Sequence, residues 1–75
     1  MDVAKLVRMA NQIAVNFEGG SSEEQAVASV ADHIRRFWSP LMREQLIDHW
    51  RADSGDLSPR AAEAIAVVAA QTTSP

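Results

Sequence analysis

The stretch DHIRRFWSPLMREQLIDHW, residues 32–50, decides how this chain folds. Apolar residues recur at intervals of three and four on both sides of a single break at Ser39–Pro40. That is the period of a helix packed along one side. Proline keeps the residue before it out of the helical region, yet it suits the first position of a new helix, and a serine before it can cap that helix. The stretch therefore reads as the end of one helix, a tight corner and the start of another. It also holds both tryptophans, both histidines and three of the seven basic side chains. Any chemistry in the chain is to be sought first at this corner.

The same period extends outward. The helix before the corner begins after Ser22, with Gln25 at the capping-box position. Its apolar stripe is Ala26, Val27, Val30, Ala31, Ile34, Phe37 and Trp38, all read as core or core edge. Asp32, Arg35 and Arg36 point away, and His33 sits at the margin. The helix after the corner carries Met42, Leu46 and Trp50, widened by Ile47. Arg43 falls inside this stripe and Leu41 outside it, and an isolated amphipathic helix explains neither placement.

Upstream, Asp2 caps a first helix whose face is Leu6, Met9, Ala10, Ile13 and Phe17, with Val3 at its edge. Lys5, Arg8, Asn11 and Gln12 lie opposite. EGGSS, residues 18–22, breaks the chain because adjacent glycines are poor helix formers. Downstream, ADSGDL (52–57) is a loop, and Ser58–Pro59 repeats the cap-then-proline start. The last helix runs to about Gln71, is polar only at Arg60 and Glu63, and is otherwise apolar nearly all round. A helix of that kind is buried on more than one side. TTSP, residues 72–75, is expected to be a disordered tail. The expected fold is all-α, a single domain over residues 1–75 built as a small bundle of three to four helices.

Composition narrows the function classes. With 75 residues and no cysteine, the chain has no disulfides, thiol nucleophile, iron–sulfur ligation or cysteine-based zinc site. The net charge of −3 gives no general attraction to phosphates. The longest apolar run, Ala64 to Ala70, is too short to span a bilayer. The start lacks the basic and apolar segments of a signal peptide. A cytoplasmic location is expected, with no membrane contact.

Residues at the corner bear on four kinds of chemistry. Asp32–His33 and Asp48–His49 supply metal-ligand types, but adjacent residues point about 100° apart on a helix, and no His pair lies four apart. No nucleophile elbow and no Gly-rich phosphate loop is present, so no catalytic, cofactor-binding or metal residues are assigned. Two helices joined at Ser39–Pro40 outline a helix-turn-helix, with Arg43, Gln45, His49 and Arg51 as readers. Glu44, Asp48 and the net negative charge oppose nucleic-acid binding, which stands as the alternative. Protein binding fits best, because Trp and Arg, residue types that dominate interface hot spots, concentrate here. The partner-binding candidates are Asn11, Gln12, His33, Arg35, Arg36, Trp38, Pro40, Leu41 and Arg43. The small ridge Ala62, Ala66 and Ala70 also permits pairing of the last helix in a homodimer.

Two blocks carry a resemblance. KLVRMANQIAVNF (5–17) and VADHIRRFWSPLMREQL (30–46) resemble the delta subunit of NAD-dependent, molybdenum-containing formate dehydrogenases. The family's K-x-x-x-M-A-N-Q-I-A opening is matched by Lys5, Met9, Ala10, Asn11, Gln12, Ile13 and Ala14. Its H-I-x-x-F-W-x-P-x-M-R block is matched by His33, Ile34, Phe37, Trp38, Pro40, Met42 and Arg43. Position 39, often acidic in the family, is serine here, and either residue can cap a helix. The resemblance covers roughly residues 5 to 47. It implies a small accessory subunit bound to larger subunits that carry the molybdenum cofactor, iron–sulfur clusters, flavin and NAD. It supplies no catalytic residue for this chain.

Overall fold

The computed structural model describes residues 2–17 and 22–72, and every structural statement below concerns these. Of the break expected at residues 18–22 and the tail expected at 72–75, residues 18–21 and 73–75 lie outside them, while Thr72 belongs to the last helix. Four helices are present, α1 (Val3–Asn16), α2 (Glu23–Phe37), α3 (Pro40–Ala52) and α4 (Pro59–Thr72). No strand occurs among the described residues. The architecture is the expected all-α bundle, with α4 running one residue beyond its expected end.

Each helix starts where an oxygen-bearing side chain precedes it. Asp2 Oδ1 accepts from the Ala4 N–H at 3.1 Å, and Ser22 Oγ from the Gln25 N–H at 3.1 Å. Ser39 Oγ accepts from the Met42 N–H at 3.2 Å, and Ser58 Oγ from the Ala61 N–H at 3.3 Å. Pro40 and Pro59 open α3 and α4, where no N–H is needed. Each cap satisfies a donor that the helix itself leaves unpaired, a contribution of about 1 kcal/mol.

Helix α4 packs against all three others and most extensively against α2. Its all-round apolar character is thereby accounted for within one chain. Ala61, Ala64, Ile65, Val68 and Ala69 of α4 join Leu6 and Ala10 of α1, Val30 and Ile34 of α2, and Leu46 and Ile47 of α3 in one core. Alanines at these contacts let the helix axes come close. No polar or charged residue is fully buried among the described residues.

Three placements differ from the helical-wheel expectation. On α1 the fully buried residues are Leu6, Val7, Ala10 and Ala14, while Met9, Ile13 and Phe17 pack only partly against the core. The helix touches all three others, so Leu6, Val7, Ala10 and Ala14 fill its contacts while Met9, Ile13 and Phe17 stay at the rim. Phe37, expected in the core or at its edge, is 72% exposed. It is the last residue of α2, where the chain turns away and leaves its outer side uncovered. Leu57, in the segment read as a loop, is buried.

A clamp on α1 accounts for Leu57. Asn11 Nδ2 donates to the Asp56 carbonyl at 3.1 Å, and Asn11 Oδ1 accepts from the Ser58 N–H at 2.8 Å. Asn11 thus holds both sides of Leu57 against the first helix. A second tie joins α4 to α2 and α1. Arg60 Nε and Nη2 each donate to one Glu23 carboxylate oxygen at 2.7 Å, and Nη1 donates to the Ala14 carbonyl at 2.9 Å.

The hydrogen bonds from Arg60 hold the Glu23 carboxyl below its ordinary value. A depressed folded value means that the pair stabilises the fold above the ordinary carboxylate range. That contribution is lost as pH falls through the lowered value. Glu23→Gln removes this titration, so stability measured against urea should fall less steeply below about pH 4.3, the ordinary glutamate value. An unchanged acid limb would show that the pair does not form in solution.

Candidate docking surface at the α2–α3 corner

The corner is built by a helix end that is closed from the next helix. Trp38 makes the last helical bond of α2, its N–H donating to the Ile34 carbonyl at 3.0 Å. Its own backbone is extended, φ −92° and ψ 144°. That change of direction carries the indole inward, where Trp38 is 6% exposed. The final carbonyls of a helix lack partners within it and favour a cation. Arg43, from the first turn of α3, supplies both needs: its Nη1 donates to the Arg35 carbonyl at 2.8 Å and the Trp38 carbonyl at 3.2 Å.

This contact explains why an arginine stands within the apolar stripe of α3. Arg43→Ala leaves two helix-end carbonyls without their donor and should cost about 1–3 kcal/mol in chemical denaturation. Arg43→Lys keeps the charge but not the fixed fork of donors, and should recover part of the loss. Equal stability of Arg43→Ala and the parent would show that water closes the helix end as well.

The outer surface is basic on one side. Arg36 Nε lies 3.1 Å from Asp32 Oδ2, and Arg35 Nη2 lies 3.5 Å from Asp32 Oδ1. One carboxylate is shared between two exposed guanidiniums, an arrangement that adds little stability. Among the described residues Arg43 has no carboxylate partner. Arg35, Arg36, Arg43 and Gln71 line one shallow, open depression. The corner therefore holds three of the chain's seven cations against Asp32 and the exposed Glu44, a small positive excess on a chain of net charge −3.

The corner is also apolar. Phe37 and Leu41 are 72% and 60% exposed, and they flank the Trp38–Ser39–Pro40 turn. Among the described residues Val15 alone joins them as a large hydrophobic with comparable exposure. Phe37 rests on the His33 ring, with centroids 4.8 Å apart, and His33 meets Phe17 edge-on at 6.2 Å. His33 is thus a half-buried spacer between two aromatic rings.

The residues expected to bind a partner separate into three groups. Arg35, Arg36, Pro40 and Leu41 are exposed at the corner. Trp38, Arg43 and His33 lie beneath or within it. Asn11 and Gln12 are on α1, where Asn11 clamps the loop and Gln12 Nε2 donates to Asn16 Oδ1 at 3.2 Å. The helical wheel missed Phe37 as a surface residue. Its signal was present, since it is the last helical position before the Ser–Pro break.

Two of the side chains that a helix-turn-helix would present to bases are engaged inside the chain. Arg43 binds the end of α2, and His49 Nε2 lies 3.0 Å from both Asp56 carboxylate oxygens. Among the described residues no three His, Asp or Glu side chains are grouped to hold a metal ion. Nor is any described helix long and apolar enough to cross a membrane.

Comparison with known proteins adds one match. The model of the family described as NADH-dependent formate dehydrogenase delta subunit FdsD matches residues 5–65. The matched region runs from α1 through the corner and into α4. Neither the curated proteins nor the solved structures contain a match.

Proposed function

The chain belongs to the NADH-dependent formate dehydrogenase delta subunit family, and from that premise we propose that it is a non-catalytic accessory subunit. In this reading it stabilises, or helps to assemble, a molybdenum- and NAD-dependent formate dehydrogenase in the cytoplasm. The larger subunits carry the molybdenum cofactor, iron–sulfur clusters, flavin and NAD. This chain contributes helix-mediated binding.

The observation that carries the proposal is the family match, which spans the α2–α3 corner. The internal engagement of Arg43 at the corner and of His49 at the far end of α3 supports binding over chemistry. Arg43 is held by main-chain carbonyls and His49 by Asp56. What remains presented outward is a mixed arginine and apolar surface, a composition enriched in protein interfaces.

Co-expression of the tagged chain with the larger subunits tests the proposal. The expected result is their recovery in fixed ratio with the chain, and a lower yield of active complex when the chain is omitted. A chain recovered alone, with the complex assembling and turning over normally without it, overturns the reading.

A further inference from the structure

We propose that Phe37 and Leu41 anchor the chain in an apolar cleft of a larger formate dehydrogenase subunit, and that the rim of that cleft is acidic. The proposal rests on the accessory-subunit reading and adds the chemistry of the surface that receives it.

The first support is the uneven exposure of apolar side chains. The core takes in Trp38, Leu46, Ile65 and their neighbours almost completely. Against that background Phe37 and Leu41 stay largely in water on either side of one turn. A rigid turn with two projecting apolar side chains suits insertion into a cleft, because little further ordering is needed on binding. The turn is rigid for stated reasons. Pro40 fixes its backbone, Ser39 caps α3, Arg43 closes α2, and Trp38 roots it in the core.

The second support is charge complementarity. Arg35 and Arg36 share a single carboxylate, and Arg43 has none among the described residues. Glu44, one turn from Leu41, offsets part of this charge, so the excess is small and lies on the Arg35 and Arg36 side of Phe37. Carboxylates on the receiving surface match it there, setting the orientation of docking and speeding the encounter. A second copy of this chain is a poorer occupant. The same positive corner would meet itself across a two-fold axis, since such an interface is made of identical patches.

The test uses the complete chain co-expressed with the larger subunits, with capture through a tag on one of them. The double variant Phe37→Ser/Leu41→Ser should reduce retained chain at least about tenfold, the scale of a hot-spot loss. Its helical circular dichroism and thermal midpoint should match the parent, since both positions are exposed. Arg36→Glu should weaken retention further as the wash is lengthened, and Val15→Ser, at the remaining exposed hydrophobic, should not. Raising salt towards 1 M, where screening acts within about 3 Å, should lower retention of the parent chain.

Retention of the double variant at the parent's level, with the parent itself retained, overturns the anchor while leaving the accessory role intact. Salt-independent retention of the parent overturns the acidic rim. A parent chain that is not retained at all removes both readings. If light scattering finds a dimer of the isolated chain that Phe37→Ser/Leu41→Ser dissolves, and larger subunits bind that variant normally, the occupant is a second copy and the proposal falls.

Discussion

Trp38→Ala should destabilise the isolated chain by about 3–5 kcal/mol, the range for truncating a large buried aromatic. Phe37→Ala, one residue earlier, should change stability by no more than about 0.5 kcal/mol, as exposed substitutions do. Both residues fall within the same apolar stripe of a helical wheel, and both are aromatic, so the contrast is a property of the corner and not of composition. Phe37 ends α2 and is covered mainly by the His33 ring. Trp38 has left the helix, and its extended backbone turns the indole into the cluster that contains Ile34, Leu46 and Ile65. Urea titrations of the two variants make the comparison under one set of conditions. Similar losses in both would place the two rings in equivalent surroundings and would discard this geometry. Trp38→Phe should fall between Trp38→Ala and the parent, since a smaller ring fills part of the same space.

The pair also marks how far the sequence could be read. Helix starts were legible because their determinants are local. A serine before a proline needs no knowledge of the rest of the chain to predict α3 or α4, and the same holds for Asp2 before α1. The apolar period gave α2 its core residues Val30, Ala31 and Ile34, because one helix face is defined by its own spacing. At Trp38 the period lost its meaning, since angles of 100° per residue apply only while the helix continues. Arg43 was visible as an anomaly, but its partners are carbonyls of the preceding helix, and the corner's angle decides whether they come within reach. Asn11 was further from view. Its two bonds cross 45 and 47 residues to the α3–α4 loop, and no spacing rule connects those positions. The burial of Leu57 follows from that clamp and was hidden for the same reason.

Leu46→Ala is the second substitution with a large expected effect, about 3–5 kcal/mol by analogy with other fully buried leucines. A chain of 75 residues has a total stability on the order of 4–11 kcal/mol, so the variant should stand close to its unfolding limit. For a domain of this size the loss corresponds to a thermal midpoint lowered by roughly 15–30 °C. The position is critical because α3 fully buries just Leu46 and Ile47. Met42 and Trp50 pack only partly, and α1 and α4 are the helices that α3 meets most. Removing the Leu46 side chain therefore weakens the helix that supports Leu41 and Arg43, while leaving every exposed side chain of the corner unchanged. A partner that binds the folded state offsets such a loss. At one hundred times its dissociation constant, it restores about 2.7 kcal/mol. Leu46→Ala should consequently melt early in isolation and still be retained by the larger subunits. The docking variant Phe37→Ser/Leu41→Ser should do the reverse, folding normally and failing to be retained. Scanning calorimetry of each variant, alone and with the larger subunits, measures both effects. If Leu46→Ala loses its partner while remaining as stable as the parent, α3 is held by the partner and not by this core.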